Sequence, residues 1–273
     1  MPARARRSCL TVPASSERML AKAASLAADE AIVDLEDAVA PEDKERARTL
    51  AVEALRRGPL GRTTALRVNG RSTPWWEDDV RAAAEARPDV VVLPKVEYPE
   101  DVSAAADLLP DGIGLEALIE TARGLVEVER IAATGRGLEA LVLGPADLAA
   151  SLGVPVLTIG AGTSGYALAR VVAAARAFGL QTVDGPHARL GDDLGLVVSA
   201  RRALAHGYDG KWVIHPSQIE PVNFVFTPSP AEIERAKRLL DAAAGAARFE
   251  GELVDEASRK LAESLLKRAE LLA

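Results

Sequence analysis

The pattern of apolar and polar positions divides the chain into repeated pairs of elements. Short apolar or β-branched runs begin at Ser8 (SCLTVPA), Ala31 (AIVDLED), Thr64 (TALRVNG), Val90 (VVVLPKV), Gly112 (GIGLEALIE), Leu138 (LEALVLG), Leu180 (LQTVDG) and Lys211 (KWVIHPS). Between them lie alanine-rich segments such as SSERMLAKAASLAA and EDKERARTLAVEALRR, whose apolar residues fall mostly three or four apart, as on the inner face of an outer helix. This alternation predicts βα units around a parallel sheet. An open doubly wound sheet would bury its strands in the same way, so periodicity alone does not separate it from a closed barrel. Two features favour a TIM (β/α)8 barrel: there are eight units, and polar groups cluster where the strands end. Asp34, Glu36 and Asp37 close the second run, Arg67 and Asn69 the third, Lys95 the fourth and Glu120 the fifth; Asp147 follows the sixth, Asp184 ends the seventh and His215 the eighth. In a barrel these ends are expected to face one bowl.

After the eighth unit the pattern changes. FTPSPAEIERAKRLLDAAAGA predicts a helix begun by Pro228, Ser229 and Pro230 with Gly245 near its end, and the remainder gives a polar turn around Gly251 and a final amphipathic helix. The expected organisation is therefore a barrel over residues 1–227 and a helical extension over 228–273, which acts either as packing or as a lid contacting a neighbouring subunit. GVPVLTIGAGTSGYAL is expected to be a loop before the helix that starts near Tyr166. Its glycines lack the lysine of a phosphate-binding P-loop.

Composition narrows the partners. Thirty-three basic and forty acidic residues leave a net charge of -7, which disfavours binding to nucleic acid or anionic membranes. Small molecules are the expected ligands. The lone cysteine, Cys9, rules out an intrachain disulfide and a multi-cysteine zinc site and is expected to be a small apolar strand residue. With no apolar stretch near the roughly 20 residues that span a bilayer and no secretory leader in MPARARRSCL, a cytoplasmic protein is expected.

Glu120 and Asp147 sit at the ends of consecutive strands and should be neighbours. Adjacent carboxylates repel unless they share a proton or a cation, and a pair of this kind suits Mg²⁺, which takes one or two protein carboxylates and leaves its other positions to water and substrate. The plain alternative is a salt bridge to Arg67 or Arg123. Arg67, within the apolar run LRVNG, needs an anion because it cannot shed its proton; its fork matches a carboxylate, and Glu36 or Asp37 could also supply one. A divalent cation beside an arginine would hold a 2-keto or 2-hydroxy acid.

CLTVPASSERMLAKA, IVDLEDAV, LRVNG, LPKVE, LIETARG, LGPADLAASLG, DGKWVIHPSQI and GELVDEASRKLA resemble, in order, the motifs of the citrate lyase beta-subunit-like proteins. That group includes malyl-CoA and citramalyl-CoA lyases and belongs to the Mg²⁺-dependent TIM-barrel carbon–carbon lyases. The resemblance implies Glu120 and Asp147 as Mg²⁺ ligands and Arg67 as the substrate-carboxylate arginine. Glu36 and Asp37 would orient that arginine or bind metal-held water, the backbone of Gly144, Pro145 and Ala146 would contact the keto acid, and Arg18 and Lys22 would meet the phosphates of coenzyme A. Asp255, in GELVD, would reach the site of an adjacent protomer and protonate the thioester enolate, which makes a homotrimer the expected assembly. The implied reaction is cleavage of a 3-hydroxyacyl-CoA to acetyl-CoA and a 2-keto acid. The rivals are a citrate lyase beta subunit acting on a carrier-bound citryl thioester and a non-catalytic keto-acid or CoA sensor. TIGAGTSGYAL is shorter than the corresponding loop in many relatives, which leaves substrate range open. Trp75 and Trp76 are expected to pack rather than to stack on a ligand, and His215 to be satisfied by backbone.

Overall fold

The structure is a computed structural model that describes residues 3–155, 165–242, 247–250 and 252–272. Eight strands close into a parallel barrel in sequence order: β1 (Ser8–Pro13), β2 (Glu30–Asp34), β3 (Thr63–Arg67), β4 (Val90–Leu93), β5 (Gly114–Ile119), β6 (Leu138–Leu143), β7 (Gln181–Asp184) and β8 (Gly210–Val213). The closing ladder sets Cys9 of β1 against Trp212 of β8, which settles the barrel against the open sheet. All eight strands fall on the expected runs.

The alternation within each strand sorts residues between two cores. Cys9, Ile32, Ala65, Val90, Val92, Leu118, Val142, Val183 and Trp212 fill the lumen. The intervening positions, such as Leu10, Val33, Leu66, Val91 and Leu141, pack against the surrounding helices. Cys9 is fully buried in that lumen layer, as expected of a small apolar residue.

The helices α1 (Glu17–Ala23), α2 (Lys44–Arg57), α3 (Trp76–Ala86), α4 (Pro99–Leu108), α5 (Ala122–Ala132), α6 (Pro145–Ser151), α7 (Gly165–Ala177), α8 (Asp193–His206) and α9 (Ile219–Phe226) follow the strands. None is long and apolar enough to cross a membrane. Trp76 packs on the core and Trp75 lies under the Lys44 ammonium, 5.3 Å from the ring centre, so both tryptophans serve packing.

Helix α10 (Pro230–Asp241) is fixed by a reciprocal cap, in which the Ser229 side chain accepts from the Glu232 N–H and Glu232 accepts from the Ser229 N–H. A two-stranded hairpin, β9 (Ala247–Phe249) and β10 (Glu252–Val254), then leads into α11 (Glu256–Leu272). The expected polar turn is thus a hairpin. Gly245, Gly251 and most of the glycine-rich loop lie outside the described residues. Ala236, Leu239, Val254 and Ala262 form an apolar cluster separate from both barrel cores.

The N-terminal end of the lumen is closed by charge. Arg6, 1 % exposed, donates to Glu116 at 2.6 Å, to Glu139 at 2.8 Å and to Gln181, and its Nε lies 3.2 Å from Glu30. Neither carboxyl oxygen of Glu30 has a hydrogen-bond partner among the described residues, and burial, then the Glu116 charge, push its carboxyl up to about 8.

Candidate active site

The opposite end of the barrel gathers most of the expected chemistry. The turn after β2 is fixed by Asp34, whose two carboxylate oxygens accept from the backbone N–H groups of Glu36 (2.9 Å) and Ala38 (3.2 Å). The buried Lys44 ammonium donates to the carbonyls of Leu35 and Glu36 at 2.7 Å each. This turn cannot shift without breaking several buried hydrogen bonds, so Glu36 is held in place and directed at the end of β3.

Arg67, at the end of β3, has Asp34 as its main partner. Its Nε and Nη2 donate to Asp34 at 2.7 and 2.6 Å. Glu36 lies 2.9 Å and Asp37 3.6 Å from Nη1, so the expected pairing with those two acids is present but subordinate. Burial opposes the guanidinium charge, and Asp34, Glu36 and Asp37 together more than offset it, so Arg67 stays protonated. The Trp212 indole lies beneath it, 5.2 Å from ring centre to guanidinium carbon. Asp34 occupies the side edge of the fork. The end edge, Nη1 with the second hydrogen of Nη2, makes no hydrogen bond among the described residues, although Glu36 Oε2 lies against Nη1, and its hydrogens are of the kind that bind a carboxylate.

Glu120 follows β5 and is 2 % exposed. Its Oε1 accepts from the Lys95 backbone N–H at 2.8 Å. Burial, then the neighbouring charges of Glu36 and Asp147, raise its carboxyl to about 7, against the pull of the Lys95 N–H. Helix α6 begins directly after β6 and carries Asp147 in its first turn, half-buried, where this interaction with Glu120 is felt. Gly144, at the start of that helix, has to be glycine. A Cβ there would come within 2.5 Å of both Cβ and Oε2 of Glu120. Pro145 is seated in the same way, because a Cβ on Gly185 would strike its ring at 2.1 Å.

The donor set fits a hard divalent cation. A buried carboxyl raised by two further carboxylates is relieved by positive charge at the same point, and oxygen is the donor such ions prefer. No group of three or more His, Cys, Asp or Glu side chains converges as a complete metal site among the described residues. Glu120 and Asp147 would supply two ligands to such an ion, with Glu36 beside Glu120.

Other expected residues fall elsewhere. Asp184 does not face the bowl: it is buried against the Lys211 ammonium on the helix side of β7, because Val183 takes the lumen position. Asn69 likewise serves the scaffold, binding Asp79 of α3 and the Leu35 carbonyl. His215 is exposed and bonds to Ser217 in the turn after β8. Arg123 is exposed, 4.0 Å from Glu127, and does not pair with the two acids. Arg18 and Lys22 lie exposed on α1 with no ion pair among the described residues. Asp255 is exposed and caps α11, accepting from the Ser258 N–H at 2.9 Å, a bond that also lowers its carboxyl. No described contact joins it to Glu120, Asp147 or Arg67. The far end of its helix meets the opposite face of the barrel, where Arg268 donates to the Asp209 carbonyl. A cavity of about 1130 Å³ opens on that same face, between Arg4, Phe226 and Arg268, and contains none of the expected site residues.

Asp34 and Lys95 are among the strand-end polar groups that the sequence places at the bowl, but it assigns neither a role in the site. The signal for Asp34 is an acid two residues before Glu36 on a strand whose alternate positions face the lumen. The contacts of Lys95 depend on a backbone angle that its strand-end position does not give.

The family described as HpcH/HpaI aldolase/citrate lyase matches residues 7–216. Among curated relatives, a (3S)-malyl-CoA thioesterase of Cereibacter sphaeroides is 41% identical over 98% of this chain and 95% of its own length. An L-malyl-CoA/beta-methylmalyl-CoA lyase of the same species is 38% identical over 100% of this chain and 97% of its own. Among solved structures, CitE from Mycobacterium tuberculosis in complex with magnesium, acetoacetate and coenzyme A matches with a TM-score of 0.83 and 36% identity, covering 98% of this chain and 99% of that one.

Proposed function

The chain belongs to the HpcH/HpaI aldolase/citrate lyase family, and from that premise we propose that it is a Mg²⁺-dependent carbon–carbon lyase that splits a 3-hydroxyacyl-CoA of the malyl-CoA or citramalyl-CoA type into acetyl-CoA and a 2-keto acid. The observation that carries this reading is the raised carboxyl of Glu120 beside Asp147 and Glu36, with Glu36 in turn against an Arg67 whose Nη1 makes no hydrogen bond among the described residues. Glu120 and Asp147 would hold the metal. When bound, Mg²⁺ would supply Lewis-acid polarisation of the oxoacid oxygens. Arg67 takes the substrate carboxylate on its end edge, while Asp34 and Trp212 keep its plane fixed. Glu36 and Asp37 flank the guanidinium, and the backbone around Gly144, Pro145 and Ala146 lies against Glu120, where the keto acid would sit. Arg18 and Lys22, four residues apart on α1 and without an ion pair among the described residues, suit the phosphates of coenzyme A.

Asp255 is assigned the proton transfer at the thioester carbon, delivered to a neighbouring protomer. In this reading residues 228–273 are an arm acting in trans, the assembly is a homotrimer and the protein is cytoplasmic. The exposure of Asp255 and its lack of contact with the bowl of its own chain are consistent with a role across an interface.

A second reading is supported by the relatives named (3S)-malyl-CoA thioesterase, which match at 41% identity over 279 aligned positions, against 38% over 308 for the lyases. On that reading the product is malate and free CoA. Incubating the protein with malyl-CoA, citramalyl-CoA and citryl-CoA plus Mg²⁺, and assaying keto acid and free thiol separately, decides. Keto acid without thiol release supports the lyase, thiol without keto acid the hydrolase, and neither product removes both.

A further inference from the structure

Lys95 is the one bowl residue with a strained backbone. It follows β4 with φ of 52°, in the left-handed region that side chains other than glycine rarely adopt. That conformation brings its N–H to Oε1 of Glu120 at 2.8 Å. Its ammonium hydrogen-bonds Oε1 of Glu36 and lies 3.8 Å from Asp37. Strain retained at a point where two functional carboxylates meet one residue calls for a reason.

The state of Glu36 supplies it. Its Oε2 is 2.9 Å from Nη1 of Arg67, yet that oxygen is buried and has no hydrogen bond among the described residues. Glu36 is therefore close enough to Arg67 to compete for the guanidinium hydrogens, but its carboxylate accepts its hydrogen bond from Lys95. A carboxylate released from Lys95 would rotate onto Nη1 and take the place a substrate carboxylate needs, because an unpaired buried anion seeks the nearest cation.

We propose that Lys95 is a positioning residue with two separable parts: its backbone N–H sets Glu120, and its ammonium keeps Glu36, although in contact with Arg67, out of hydrogen-bonding alignment with Nη1, so that the guanidinium hydrogens there stay available to the oxoacid. This rests on the reading that Arg67 receives the oxoacid carboxylate.

The two parts can be separated because glycine favours φ near 50° and keeps the N–H. Binding of Mg²⁺, and of pyruvate or glyoxylate in its presence, is measured by calorimetry on the wild type, Lys95→Gly, Lys95→Arg and the double variant Lys95→Gly/Glu36→Gln, with melting curves as a check on folding. Lys95→Gly is expected to keep Mg²⁺ affinity within about threefold and to weaken keto-acid affinity by roughly tenfold or more. Lys95→Arg should recover most of that loss. Glu36→Gln in the glycine background should also recover it, since a neutral amide does not compete for the guanidinium. Keto-acid affinity unchanged in Lys95→Gly, or a loss that Glu36→Gln does not recover, overturns the proposal. Absence of keto-acid binding by the wild type overturns the reading beneath it instead.

Discussion

At the N-terminal end of the lumen Arg6 meets Glu30, Glu116 and Glu139, and every nitrogen of its guanidinium hydrogen-bonds to a side chain. At the C-terminal end Arg67 meets Asp34 and Glu36, and its Nη1, though in contact with Glu36, makes no hydrogen bond among the described residues. Both clusters bury cations and carboxylates in the same cylinder of strands, and they differ in whether the cation is fully used. The lower cluster closes the barrel and leaves no nitrogen of its guanidinium without a partner. The upper one holds three mutually repelling carboxylates, Glu36, Glu120 and Asp147, at a cost that a proton on Glu120 or a bound cation relieves. A buried guanidinium thus belongs to a plug where each of its nitrogens is taken and to a site where one is not.

The largest effect expected from this contrast is at the upper end. Glu120→Gln should lower Mg²⁺-dependent turnover by about 10³ or more, the scale of losing a Lewis acid. The metal-free protein should melt no lower, because a repelling carboxylate has been removed. A melting temperature that falls together with activity would mean that Glu120 is structural. The converse holds below: Arg6→Met leaves Glu116 and Glu30 buried without their nearest cation, Glu139 keeping Arg4, and should cost about 3 kcal/mol of stability in denaturant titration. Turnover per folded molecule should stay near the wild-type value.

The two ends also differ in completeness. The lower cluster is built within one chain, whereas the proposed reaction needs Asp255 from a neighbour. Asp255→Asn should leave Mg²⁺ and keto-acid binding nearly intact while cutting turnover by about 10². Mixing Asp255→Asn subunits with Glu120→Gln subunits should restore activity above either alone, since some sites then combine an intact bowl with an intact arm. No recovery in freshly assembled mixtures would remove the trans assignment.

How much of this was legible in the sequence follows the same division. Strand positions were readable because eight apolar runs buried on two faces leave few alternatives, and Glu120, Asp147 and Arg67 were readable because they interrupt or end such runs. Asp34 was seen as a strand-end acid but not as the grip on Arg67, since the choice among Asp34, Glu36 and Asp37 depends on which faces inward. Asp184 was misplaced for the same reason: shifting the inward register by one residue gives the lumen to Val183. The lower cluster passed unnoticed because Arg6, Glu30, Glu116 and Glu139 are scattered over 133 positions, from Arg6 to Glu139, and meet only when the barrel closes. Lys95 depends on a single dihedral angle, which composition and spacing do not encode.

The smallest effect separates the two ends by pH. Glu30 titrates at about 8 in the folded chain against an ordinary 4.5, because burial and Glu116 disfavour its charge. Between those values the folded state holds a proton that the unfolded state has released, so stability is greatest below about pH 4.5 and falls as pH rises toward 8. Glu120, raised to about 7, adds a contribution of the same sign in the metal-free protein. Mg²⁺ should suppress the Glu120 part, since a cation at that carboxylate favours its charged form, and leave the Glu30 part unchanged. Glu30→Gln is expected to change stability at pH 5 by no more than about 1 kcal/mol, because an amide replaces a carboxyl that is already neutral there. At pH 8 the variant should be the more stable of the two. Denaturant midpoints at the two pH values, with and without Mg²⁺, test both halves: a pH dependence abolished by Mg²⁺ alone would place the titrating group in the bowl, and one abolished by Glu30→Gln alone would place it in the plug.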